Sequence, residues 1–151
     1  MLKEKIQKDL IGAQRSRDEL KVSTLRLLIG AIKNFAIAKE SASYAPSDEE
    51  ILGVVQKEIK QRKESIEQFK VGGRQDLVDK ETKEMEILQQ YLPEQMSEEK
   101  IREFVDQKIS ELGATTIADT GEVMGALSQE LKGKADLSSV SQIVREKLSS
   151  G

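Results

Sequence analysis

Apolar residues return at every third or fourth position along most of this chain, and the rhythm breaks most sharply at its two prolines, Pro46 and Pro93. That spacing lines one stripe of an α-helix, whereas a half-buried strand needs strict alternation. No window alternates with β-branched enrichment, so the expected fold class is all-α. Leu2, Ile6 and Leu10 predict a helix over 2–16. A second, over 18–39, carries Leu25, Leu28, Ile29, Ile32 and Ala36, with Phe35 beside them. After SASYAPS, Ser47 and Glu50 match a capping box, in which the serine caps an orphan N–H and the glutamate reaches back. They open a third helix over 48–70, with Ile51, Val54, Val55, Ile59, Ile66 and Phe69 inward. Gly72 and Gly73 end it, and Leu77, Met85, Leu88 and Leu92 mark a fourth over 74–91, the two expected to form a hairpin.

The second proline lies in YLPEQMS, which marks a domain boundary. Beyond it Ser97 suits an N-cap, Ile101, Phe104, Val105, Ile109 and Leu112 form one apolar face, and Gly113 suits a left-handed helix end. ATTIAD reads as a connector of one helical turn. A sixth helix over 120–132 ends at Gly133, and Asp136 caps a seventh over 137–149, with Val140, Ile143, Val144 and Leu148 inward. The expected organisation is an elongated N-terminal bundle of four helices at 1–92 and a small three-helix bundle at 96–151. The latter, about 55 residues, lies near the lower limit for independent folding.

Composition removes whole classes of chemistry. There is no cysteine, which excludes disulfides and thiolate nucleophiles, and no histidine, which excludes the usual general base and the commonest metal ligand. Neither a metal site nor a cofactor is expected, and no catalytic residue is assigned. No apolar run approaches the ~18 residues of a membrane helix. MLKEKIQKDL lacks the apolar core of a secretory signal, so a soluble cytoplasmic protein with no membrane partner is expected. Net charge is −3: residues 1–95 hold 17 basic and 17 acidic side chains, and residues 96–151 hold 7 and 10. Without a basic excess, any contact with nucleic acid must use local patches.

The sharpest of these is Lys132-Gly133-Lys134. It reads as a tight corner, with glycine taking positive φ, Lys132 near the negative end of a helix dipole and Asp136 capping the seventh helix. The corner is the favoured reading; the other is two cations held out toward phosphates, since neither dipole accounts for Lys134. Gly121 and Gly125 share a helix face, where glycine costs about 1 kcal/mol relative to alanine. Close approach of a neighbouring helix is the favoured explanation, except that Gly121 falls at the expected helix start, and a bare surface for RNA backbone is the other. Lys57, Lys60 and Lys63 step along one side of the third helix. Glu58, Glu64 and Glu67 stand four residues from Arg62, Lys60 and Lys63, so a solvated ladder of ion pairs is expected, with a weak cationic strip as the alternative. Asp76, Asp79, Glu81, Glu84 and Glu86 crowd the fourth helix, but no GxxxxGK[ST] accompanies the Gly72–Gly73 pair and no catalytic dyad is argued from these carboxylates.

KQRKESIEQF, GRQDLVDKE, YLPEQMSEE, GEVMGAL and KGKAD, in this order over nearly the whole chain, resemble the YqeY-like family. The C-terminal part of that family is similar to the tail of the GatB subunit of glutamine-dependent tRNA amidotransferase. The resemblance implies a helical protein that grips folded tRNA while chemistry of the carbon–nitrogen ligase type, with glutamine as amide donor, proceeds elsewhere. It carries Lys132, Gly133, Lys134, Ala135 and Asp136 onto the tail's corner, and Gly121, Met124 and Gly125 onto its glycine-bearing helix. The family pattern often has lysine at the position of Glu122 and glycine at that of Leu137. The expectation is a non-catalytic tRNA-binding accessory in translation, using Lys132, Gly133, Lys134, Gly121 and Gly125, with Lys57, Lys60 and Lys63 as a further strip. The alternative is a helical adaptor for a glutaminyl-tRNA synthetase or an amidotransferase subunit.

Overall fold

The structure, a computed structural model, describes residues 1–149. It is all-α: α1 (Leu2–Ser16), α2 (Glu19–Lys39), α3 (Asp48–Val71), α4 (Gln75–Gln89), α5 (Glu98–Leu112), α6 (Thr120–Glu130) and α7 (Leu137–Ser149), with a 3-10 turn at Ile117–Asp119 and no strand among the described residues. The chain divides into two compact units, Met1–Leu92 and a second beginning at Pro93.

Helix ends in the first unit arise from local chemistry. α1 closes on Arg17, a non-glycine residue at φ 58 whose N–H donates to the Gln14 carbonyl, and Asp18 immediately caps α2 by accepting from the Lys21 N–H. Ser47 and Glu50 make the expected reciprocal box at the start of α3. Gly73, at φ 70, turns the chain into α4, and α3 and α4 pack along one another more extensively than any other pair. Ile6, Leu25, Leu28, Ile51, Val55 and Leu88 are the fully buried large side chains of this core. Tyr91, two residues past α4, joins them: its ring is buried and its hydroxyl donates to Asp9 Oδ2 at 2.7 Å. Burial first, and the Asp9 carboxylate second, raise the pKa of that phenol.

The ladder expected on α3 does not form. Arg62 turns across the hairpin to Glu81 (3.0 Å) and to Glu84, which is 6% exposed. A buried carboxylate demands a cation, and a guanidinium can serve two carboxylates at once, so tertiary pairing displaces the i,i+4 partner.

The second unit has an aliphatic core: Val105, Val123, Leu127, Leu131, Val140 and Val144 are each at most 1% exposed. Ser97 caps α5 and Gly113, at φ 65, ends it. The apolar face of α5 is narrower than its sequence suggests. Ile101 and Val105 are buried and Ile109 half-buried, but Phe104 and Leu112 are each 37% exposed, because a small three-helix core covers only the centre of the stripe. The connector is one 3-10 turn, held by Asp119 Oδ2 accepting from the Thr115 and Thr116 N–H groups at 2.9 and 3.1 Å. These two donors hold the Asp119 carboxyl below its usual range.

Candidate functional site

The corner is built by the end of α6. The helix stops at Glu130, two residues earlier than its periodicity suggests, so Lys132 stands in the turn rather than on the helix. The Leu131 carbonyl accepts from both Lys134 N–H (2.9 Å) and Ala135 N–H (3.2 Å), and this tight curl requires Gly133 at φ 78. Leu131, Gly133 and Ala135 point into the unit and are buried, while Lys132 and Lys134, alternating with them, are exposed. Asp136 then caps α7 through the Ser138 N–H at 3.1 Å.

Sequence reasoning missed a second role for this curl. The Gly133 carbonyl accepts from Gln95 Nε2 at 2.8 Å, and the Lys134 carbonyl accepts from the Met96 N–H at 3.0 Å. The segment after Pro93 is therefore strapped to the corner by two bonds to main-chain oxygens. The only sequence signal was Gln95 beside a boundary proline, which names no partner.

Gly121 and Gly125 correct an expectation. Both are exposed, and a Cβ built on either meets nothing within 4 Å. No neighbouring helix needs them small, so close helix approach does not explain them. They leave a strip of α6 backbone bare to solvent. Val123 and Leu127, on the opposite side, are fully buried.

On α3, Lys57, Lys60 and Lys63 are all exposed, whereas Arg62 among them is drawn inward. The acidic residues of α4 are largely engaged: Asp76 with Arg74 (3.2 Å), Asp79 with Gln75 (2.8 Å), and Glu81 and Glu84 with Arg62. Among the described residues no group of three acidic side chains is arranged to hold a metal ion, and no helix is long and apolar enough to cross a membrane.

One further polar cluster surrounds Glu50. It accepts from Lys39, from the Tyr44 hydroxyl at 2.7 Å and from the Ser47 N–H at 3.1 Å. These donors, Lys39 foremost, hold the Glu50 pKa down to about 2. The capping box is visible in the sequence. The recruitment of Lys39 and Tyr44 is not, because it needs the 40–47 loop to fold back over the end of α2.

Comparison with known proteins covers nearly the whole chain. The family model described as YqeY-like protein matches residues 3–148. A protein of Pyrenophora tritici-repentis named altered inheritance of mitochondria protein 41, mitochondrial, is 32% identical over 145 residues, covering 94% of this chain and 78% of that one. The protein of the same name from Saccharomyces cerevisiae strain YJM789 is 32% identical over 133 residues, covering 87% and 69%. In Lachancea thermotolerans the namesake is 39% identical over 90 residues, covering 58% and 46%. A match running from α1 to α7 takes in both units and the corner between α6 and α7, and the chain belongs to the YqeY-like family.

Proposed function

We propose that this protein is a non-catalytic tRNA-binding accessory associated with tRNA-dependent amidation, and that its second unit corresponds to the GatB-tail domain. The observation that carries the reading is the bare face of α6, where Gly121 and Gly125 are exposed with open space at each Cβ position. Gly121 stands in the first turn of α6, but Gly125 lies inside the helix, where an exposed glycine lowers stability without improving packing, which fits a surface kept low for close approach of another backbone. Lys132 and Lys134 project from the turn after α6, on a curl fixed by Gly133. Exposed cations on the turn after α6, together with bare backbone on that helix, suit phosphate and shape recognition of folded RNA. Lys57, Lys60 and Lys63, exposed on α3 of the first unit, are a second phosphate strip in this reading.

The test is charge reversal, Lys132→Glu with Lys134→Glu, with tRNA affinity measured at several salt concentrations. Each lost phosphate contact should flatten the log–log salt slope by about 1. Unchanged affinity with unchanged slope would falsify the reading.

A second reading, a helical adaptor for a synthetase or amidotransferase subunit, is favoured by the net charge of −3 and by Ile11, Leu27 and Ile37, exposed by 49, 60 and 55% on the first unit. Co-purification after nuclease treatment separates the two: a partner retained without RNA supports the adaptor.

A further inference from the structure

We propose that the cleft between α1, α2 and the 40–46 loop binds a small carboxylate with an unbranched apolar tail. This site lies wholly within the first unit and is independent of the RNA reading. The cleft holds about 280 Å³. Ile6, Ile32 and Ala36, each at most 4% exposed, form part of its floor, and Ile29, Ile37 and Pro46 are among its walls.

Three features select the ligand. The volume lies just below the ~300–1,000 Å³ of drug-sized sites, which suits one narrow tail rather than a ring system. The lining is mostly apolar: apart from two lysines, its polar side chains are Gln7 and Tyr44, whose hydroxyl already donates to Glu50. A peptide backbone entering here would find only the Gln7 amide to pair with and leave most of its own amides unsatisfied, whereas an alkyl chain has none to satisfy. The charged residues of the lining are Lys3 and Lys33, both exposed, with no carboxylate beside them in the lining. Two cations and no anion fit a negatively charged head. The cleft is also preorganised. Glu50 binds both Lys39 at the end of α2 and Tyr44 in the loop, so the loop wall is pinned before any ligand arrives.

The experiment is calorimetric titration of the full chain with hexanoate, octanoate and octanol. Octanoate should bind saturably, and hexanoate about tenfold more weakly, the effect of burying two fewer methylenes. Octanol should bind more weakly than octanoate. Lys3→Gln with Lys33→Gln should abolish that preference while leaving octanol binding unchanged, and Ile37→Glu, which sets a negative charge in an exposed wall, should weaken octanoate at least tenfold. Circular dichroism confirms that each variant is folded. No saturable octanoate binding, no dependence on chain length, or indifference to Ile37→Glu would each overturn the proposal. So would capture of an apolar protein segment at this cleft that octanoate fails to displace.

Discussion

The two units close their interiors by opposite means. The first buries charge: Glu84 lies inside the α3–α4 hairpin, Arg62 reaches it from the facing helix, and Glu81 shares the guanidinium. The described core of the second holds only apolar side chains, and main-chain oxygens at the α6–α7 corner, bonded to Gln95 and Met96, tie its entry segment down. A large core tolerates an ion pair that fixes how two long helices line up, because abundant apolar burial offsets its desolvation. A small core has no such reserve. It obtains its specificity from a curl of backbone that costs little desolvation and leaves its lysines outside.

The contrast can be broken from the first side with the largest effect. Arg62→Ala should destabilise the hairpin by about 3–5 kcal/mol, because it leaves the Glu84 carboxylate buried without its guanidinium. Hydrogen exchange should localise the loss to α3 and α4, and Arg62→Leu combined with Glu84→Leu should recover most of it. If the single substitution is silent, the buried pair is not what aligns these helices. Next in size, Leu127→Ala in the second unit should cost about 2–5 kcal/mol, read as lost exchange protection in α5, α6 and α7. Gly133→Ala should cost about 1–2 kcal/mol, since a Cβ is strained at φ 78, and should loosen the Gln95 and Met96 anchors together.

Gly125→Ala acts in the other direction. With nothing within 4 Å of the new Cβ, it should stabilise α6 by about 0.5–1 kcal/mol. If the bare face meets RNA, the same variant should bind tRNA more weakly despite its gain in stability. A gain in both would remove the functional reason for the glycine. The smallest effect is confined to acid. The Glu50 carboxyl is depressed to about 2, so its contribution is fully present above its unfolded pKa near 4.5 and fades as pH falls toward 2. Glu50→Gln should flatten that part of the acid stability profile in the first unit and leave the second unit unaffected.

Much of the fold is legible in the sequence because it is local. The apolar stripes of α2, α3 and α7, the Ser47–Glu50 box, the Ser97 cap and the Gly113 end all depend on residues a few positions apart. The same locality misleads where a distant partner intervenes. Glu58 stands four residues from Arg62, yet Arg62 crosses to α4, and Phe104 shares the spacing of Ile101 and Val105, yet lies at the margin. Of the candidate site, the Gly133 turn and the outward lysines are implied by residue type. The bareness of Gly121 and Gly125 is not, because a glycine has the same signature whether a neighbour presses on it or nothing does.

By itself the sequence determined that this protein is built of helices, where most of them start and stop, and that no thiol or imidazole serves it. Helical periodicity and capping act within a turn or two of chain, so they are written in neighbouring residues. Only the tertiary structure decided which charges are buried, which glycines are bare, and that the segment after Pro93 is tied to the cationic corner. Each depends on what approaches from far along the chain, and desolvation and hydrogen bonding are settled by that approach rather than by the order of residues.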